Sequence, residues 1–171
     1  MSRKTKIAFW SVVAAQVIFL LVFIGVKENA LRAGTEVILR ALPVDPRSPL
    51  QGDYATLDYE IGRLPAYLDD LPPGEPVYVS LAPGPEVWTA VDYRVSGTKP
   101  DEAEVYIKDK VASAGRLDFN IGTYFVPEGT GHIIEQAADI RVVVKISSGG
   151  DAIIKQVLLG EAPFNPNVRR R

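Results

Sequence analysis

DIRVVVKISSGGDAIIKQVLL, Asp139 to Leu159, is the stretch that decides the fold. Two runs rich in valine and isoleucine flank Ser147-Ser148-Gly149-Gly150, a glycine-rich connection of hairpin type. The same signature recurs upstream. EPVYVSL (75–81) and EVWTAVDYRV (86–95) enclose the turn APGPE, which predicts a second hairpin. TEVILRALPV (35–44) is rich in β-branched residues, and RLDFNI (116–121) sets Leu117, Phe119 and Ile121 on one side. EVYIKDKVA (104–112) alternates, which predicts Val105, Ile107 and Val111 inside, with Tyr106, Lys108 and Lys110 on a wet face. Between these runs, Thr130 to Ala138 predicts a short helix with Thr130 as its N-cap. The expected fold is mainly β (α+β): a small antiparallel β sandwich or barrel-like domain with one short helix.

The segment PVDPRSPLQGDYATLDYEI, Pro43 to Ile61, shows how one strand begins. Period-two geometry puts Asp53, Ala55, Leu57, Tyr59 and Ile61 on one face, and Tyr54, Thr56, Asp58 and Glu60 on the other. The first face is apolar except at its mouth, so it is expected to face the core. Pro46 and Pro49 restrict the approach, and Gly52 permits a sharp entry into the sheet. A carboxylate at Asp53 can accept orphan N–H groups of the loop or pair with Arg47. A second use stays open: Tyr54, Asp58 and Glu60, or Asp45 and Arg47 of the loop, as a docking surface.

Gly52-Asp53-Tyr54-Ala55-Thr56-Leu57-Asp58-Tyr59 fits G-D-Y-x-x-L-x-Y without mismatch. It resembles the signature of the GDYXXLXY family, bacterial membrane-anchored proteins of uncharacterised function. The lead-in DPRSPLQ is similar to that family's approach to the motif, and YFVPEGTG followed by Glu135 is similar to its second block. The resemblance directs attention to Asp45, Arg47, Gly52, Asp53, Tyr54, Leu57, Tyr59, Glu128, Gly129, Gly131 and Glu135. It implies no catalytic residue and no cofactor. At family level it implies a polytopic membrane protein as partner.

The N-terminus bears on location. Arg3, Lys4 and Lys6 precede Ile7–Val26, an uncharged run of about 20 residues, the length that spans a bilayer's hydrocarbon core. Trp10 suits an interfacial anchor, and the basic tip is expected to stay in the cytoplasm. A cleaved signal peptide is the competing expectation, since Val13-Ala14-Ala15 offers a small-residue site. Cleavage there would leave Val17–Val26 as an apolar stub, which favours an uncleaved anchor. The expected organisation is a cytoplasmic tip (1–6), a transmembrane anchor (7–26), a juxtamembrane segment (27–34), an exported β-rich domain (35–162) and a flexible tail (163–171). The expected location is the bacterial cytoplasmic membrane, with the main domain on its outer, periplasmic side and the bilayer contacted through Ile7–Val26.

Composition narrows the chemistry. A net charge of −2 argues against nucleic-acid binding, and the absence of cysteine removes disulfides, thiolate metal sites and a cysteine nucleophile. Ser48 ahead of Gly52-Asp53, with Lys108 or Lys110 on a later strand, resembles in part the serine–lysine arrangement of type I signal peptidases. However, Ser48 is followed by proline, and both lysines fall on the expected wet face, where an amine is a poor base. His132 with Glu128 and Glu135 has the spacing of one helix face but reads as a surface or capping group, so no metal site is assigned. Trp88, Tyr93 and Tyr106 suit core and cross-strand packing better than a sugar or peptide surface. A binding or structural domain that docks another membrane or envelope component is therefore expected rather than an enzyme. The alternative is an envelope hydrolase using a carboxylate pair, with Asp53 or Glu128 as the candidate acids.

Overall fold

Valine and isoleucine at alternate positions favour strands that bury one face, and the computed structural model of this chain realises that pattern. It describes residues 3–44, 54–95, 100, 101, 104–113 and 115–165. The chain divides into two units, Met1–Gly34 and Thr35–Arg171. The first holds one helix, α1 (Arg3–Ala33). Its stretch Arg3–Val26 is long and apolar enough to cross a membrane, by length and composition. Phe9, Trp10, Ile18, Phe19 and Leu21 stand exposed along it.

Among the described residues the second unit has strands β1 (Thr35–Val44), β2 (Tyr54–Tyr59), β3 (Pro76–Pro83), β4 (Trp88–Val95), β5 (Tyr106–Ser113), β6 (Arg116–Asp118), β7 (Thr123–Phe125), β8 (Ile140–Ile146), β9 (Ala152–Leu159) and β10 (Ala162–Pro163), and a single short helix, α2 (Gly131–Glu135). They form a six-stranded sheet in the order β10-β9-β8-β1-β2-β7 and a four-stranded sheet in the order β4-β3-β5-β6. Every strand pairing is antiparallel. Both predicted hairpins are present, β3–β4 and β8–β9, each with a register shift along its ladder. The fold is thus mainly β with an N-terminal helix, as the patterning predicts.

One hydrophobic core joins the two sheets. Val37, Leu39, Leu57, Tyr59, Val142 and Val144 come from the larger sheet, and Val77, Val79, Ile107 and Val111 from the smaller. Each buried side chain of this size is worth roughly 1.5–3 kcal/mol, and their alternation along the strands fixes the register, because a one-residue slip would turn every one of them outward. Trp88 and Tyr93 are half-buried against this core, and the Tyr93 hydroxyl donates to the Ile61 carbonyl at 3.1 Å.

The structure corrects three local expectations. Tyr106 is buried, not on a wet face. The tip of the β8–β9 hairpin covers it: Tyr106 donates to the Ser148 carbonyl at 3.0 Å, and the Lys108 amide donates to the Gly150 carbonyl at 3.0 Å. Gly150 has φ +81°, and a Cβ there would lie 2.5 Å from the Tyr106 ring. The glycine thus serves a tertiary contact as well as a turn. Second, the strand of the DYATLDYEI segment stops at Tyr59, and Glu60–Gly62 forms a 3-10 turn that keeps Ile61 buried. Third, the helix is only Gly131–Glu135, shorter than predicted. The Ala137 amide bonds back to the Ile134 carbonyl at 3.0 Å, after which the chain enters β8. The Thr130 hydroxyl donates to the Pro127 carbonyl at 2.6 Å instead of accepting from the helix.

Candidate functional site

Strand β2 carries the described part of the motif, and its neighbours set what each residue does. It lies between β1 and β7, with Ala41 opposite Tyr59 on one side and Tyr54 opposite Phe125 on the other. Ala55, Leu57 and Tyr59 are buried, while Tyr54, Thr56 and Asp58 are half-buried on the opposite face. The Leu57 amide donates to the Gly122 carbonyl at 2.8 Å. The Tyr59 hydroxyl donates to the Ile121 carbonyl at 2.9 Å, and its ring meets Phe119 edge-on at 6.0 Å. Burial holds the Tyr59 phenol far above the usual tyrosine range, so it stays a neutral donor. Asp45, Arg47, Ser48, Gly52 and Asp53 lie outside the described residues.

The second block of the resemblance adjoins the first. Tyr124 and Phe125 belong to β7, the ladder partner of Ala55 and Tyr54. The chain then turns at Pro127–Thr130, where the Thr130 amide donates to the Pro127 carbonyl at 3.1 Å. Gly129 takes φ +80° at the third position of that turn, a conformation glycine adopts without strain. Gly131 is buried, and a Cβ there would lie 3.8 Å from the Tyr54 carbonyl oxygen. Glu128 is exposed on the turn and Glu135 is half-buried at the end of α2. The structure therefore brings Gly131 beside Tyr54, while Leu57 and Tyr59 pack farther along β2 and Gly129 serves the turn. The His132 side chain is not among those described.

A cleft of about 530 Å³ opens at the seam where β2 of one sheet runs beside β6 of the other. Thr56, Leu57, Asp58 and Tyr59 of β2 line it together with Arg116, Leu117 and Asp118 of β6, and Phe119, Asn120 and Thr123 complete the lining. The Arg116 guanidinium bridges the walls to the Asp58 carboxylate at 2.8 Å, with the Asp58 side chain 16% exposed. Behind the turn that follows β6, Asp109 accepts the amides of Lys110 at 2.8 Å and Asn120 at 3.0 Å. Burial raises the Asp109 carboxyl above the ordinary aspartate range, opposed by those two hydrogen bonds. Lys108, by contrast, is exposed and paired with Asp151 at 3.3 Å.

Alternation in the sequence puts Asp58 on the outward face but does not point to Arg116, Asp118, Asn120 or Thr123. The available signal was that RLDFN and DYATLD each alternate polar with apolar residues, so each brings a polar edge to whatever seam it lines. Among the described residues, no group of three or more His, Asp and Glu is arranged to hold a metal ion.

Fold and site together define a mainly β domain, following a long apolar helix, with a tyrosine-rich motif strand in its core and a polar cleft on that strand's outer face. The chain belongs to the GDYXXLXY family: the family model described as GDYXXLXY protein matches residues 16–157, well over half of the chain. No curated protein and no solved structure matches it.

Proposed function

We propose that this protein is a single-pass, membrane-anchored domain held on the outer side of a bacterial cytoplasmic membrane, where it docks another membrane or envelope component. The observation that carries the proposal is the apolar helix Arg3–Val26 at the head of a separate folded β unit. At about 1.5 Å per residue its 24 residues reach about 36 Å, enough for a hydrocarbon core of about 30 Å. Arg3, Lys4 and Lys6 favour retention of the N-terminus in the cytoplasm. Docking is supported by a β unit in which Leu57 and Tyr59 of the motif serve the core, leaving Thr56 and Asp58 on the outer face of β2 for recognition. A polytopic membrane protein is the partner in view.

The cysteine-free sequence makes topology directly measurable. Val91 is exposed on β4, so Val91→Cys in spheroplasts should react with a membrane-impermeant maleimide, while Ser2→Cys should react only after lysis. The mature chain should still begin at its original N-terminus. Protection of Val91→Cys in intact spheroplasts, or a mature N-terminus downstream of Val26, would overturn the placement. Crosslinking in membranes followed by purification in mild detergent should recover a second membrane protein; recovering only the lone polypeptide would overturn the docking role.

A further inference from the structure

We propose that the seam cleft between β2 and β6 binds an uncharged, hydroxyl-rich ligand of the saccharide class. The proposal rests on the cleft itself and goes beyond the docking reading.

Its volume of about 530 Å³ lies within the roughly 300–1,000 Å³ typical of small-molecule sites. The walls are preorganised. Thr56 and Asp58 ride on β2, which is paired on both sides, and Arg116 and Asp118 ride on β6, which is paired to β5. The turn carrying Asn120 is pinned at three points: its amide to Asp109, the Gly122 amide to the Phe119 carbonyl at 2.8 Å, and the Leu57 amide to the Gly122 carbonyl at 2.8 Å. Binding there orders little that is not already ordered, which lowers its entropic cost.

The lining selects the ligand by elimination. Leu57, Tyr59, Leu117 and Phe119 give the lining apolar ground, but its hydroxyls, carboxylates, amide and guanidinium would lose hydration against a wholly apolar molecule. The cleft carries two carboxylates, Asp58 and Asp118, against one guanidinium, and Arg116 is already engaged by Asp58. An anion would therefore meet uncompensated negative charge. A cation would have to compete with Arg116 for Asp58 while being repelled by that guanidinium. A neutral group that both donates and accepts meets neither penalty. Sugar hydroxyls can donate to Asp118 and Asp58 and accept from the remaining Arg116 N–H groups and the Asn120 side-chain amide, and hydrogen bonds to charged partners are the strong ones.

The test uses the full chain in dodecylphosphocholine micelles, whose headgroup contains no sugar. Backbone-amide NMR is followed during titration with maltose, with N,N′-diacetylchitobiose and with glucose 6-phosphate. Saturable shifts at Thr56, Asp58, Arg116, Asp118 and Asn120 are expected with at least one disaccharide, and weaker effects with the phosphorylated sugar. Asp118→Ala should weaken disaccharide binding at least about tenfold while leaving the melting transition in place. No saturable shift with either disaccharide, tighter binding of the phosphorylated sugar, or unchanged affinity in Asp118→Ala would each overturn the proposal. None of these outcomes alters the labelling result that tests membrane placement.

Discussion

The two faces of β2 do different jobs within six residues. Inward, Ala55, Leu57 and Tyr59 are buried in the core joining the two sheets. Outward, Thr56 and Asp58 give the cleft its polar groups from β2, and Asp58 meets Arg116 across it. The letters of the family motif follow that line only in part. Its specified Leu57 and Tyr59 are core residues, while two of its three open positions, Thr56 and Asp58, face the cleft. The third, Ala55, is buried beside them. Tyr54, also specified, is half-buried on the outer face, so the division follows the faces of the strand rather than the letters of the motif. Substitution tests this division directly, because the two faces should respond through different observables.

The largest expected effect is on the inner face. Leu57→Ala removes a buried side chain at the meeting of the sheets and should cost about 2–5 kcal/mol, read as a lowered denaturant midpoint at unchanged slope. Asp58→Ala, one residue along, loses an ion pair whose arginine is half-exposed, and should cost no more than about 1 kcal/mol. Equal losses from the two variants would break the comparison. Tyr59→Phe comes next. It keeps the ring against Phe119 but leaves the buried Ile121 carbonyl without its donor, an expected loss of about 1–3 kcal/mol in the same assay. A variant as stable as the parent would show that the hydroxyl contributes nothing to the scaffold.

Legibility in the sequence followed the same division. The inner face of β2 was readable because period-two alternation reports burial locally, and the hairpins were readable because turn residues sit between strand runs. RLDFNI likewise kept Leu117, Phe119 and Ile121 buried even though the strand ends at Asp118. Tyr106 defeated the method. Its alternation is correct for β5 alone, but a hairpin tip from the other sheet, far along the chain, covers it. The cleft was only half legible for a similar reason. Asp58 could be placed on the outward face, yet its pairing with Arg116 depends on how the two sheets meet, which no local pattern encodes. Glycines and prolines draw attention to the carboxylates beside them, Asp53 and Glu128. Glu128 is an exposed turn residue, whereas Asp109, whose burial does alter its acidity, lies within an alternating strand that gives no local sign of it.

Asp109 gives the smallest effect and the finest test of the inner and outer distinction. It shares the inward side of β5 with Ile107 and Val111 by period-two geometry, but stands where the core meets the cleft, accepting the Lys110 and Asn120 amides. Burial raises its carboxyl from the ordinary value of 3.8, so the folded state binds this proton more tightly than the unfolded chain does. Linkage then fixes the sign. The contribution of Asp109 to stability is fully present below pH 3.8 and is lost as pH rises through the elevated folded value. A carboxyl-detected NMR titration should therefore place the Asp109 midpoint above that of a model aspartate. Asp109→Asn should remove this downward component from the acid limb of the stability curve, while Asp58→Asn should leave it in place. A midpoint at or below the ordinary aspartate value would mean that the two amide bonds outweigh desolvation, and that Asp109 belongs with the wet face of the seam rather than with the core.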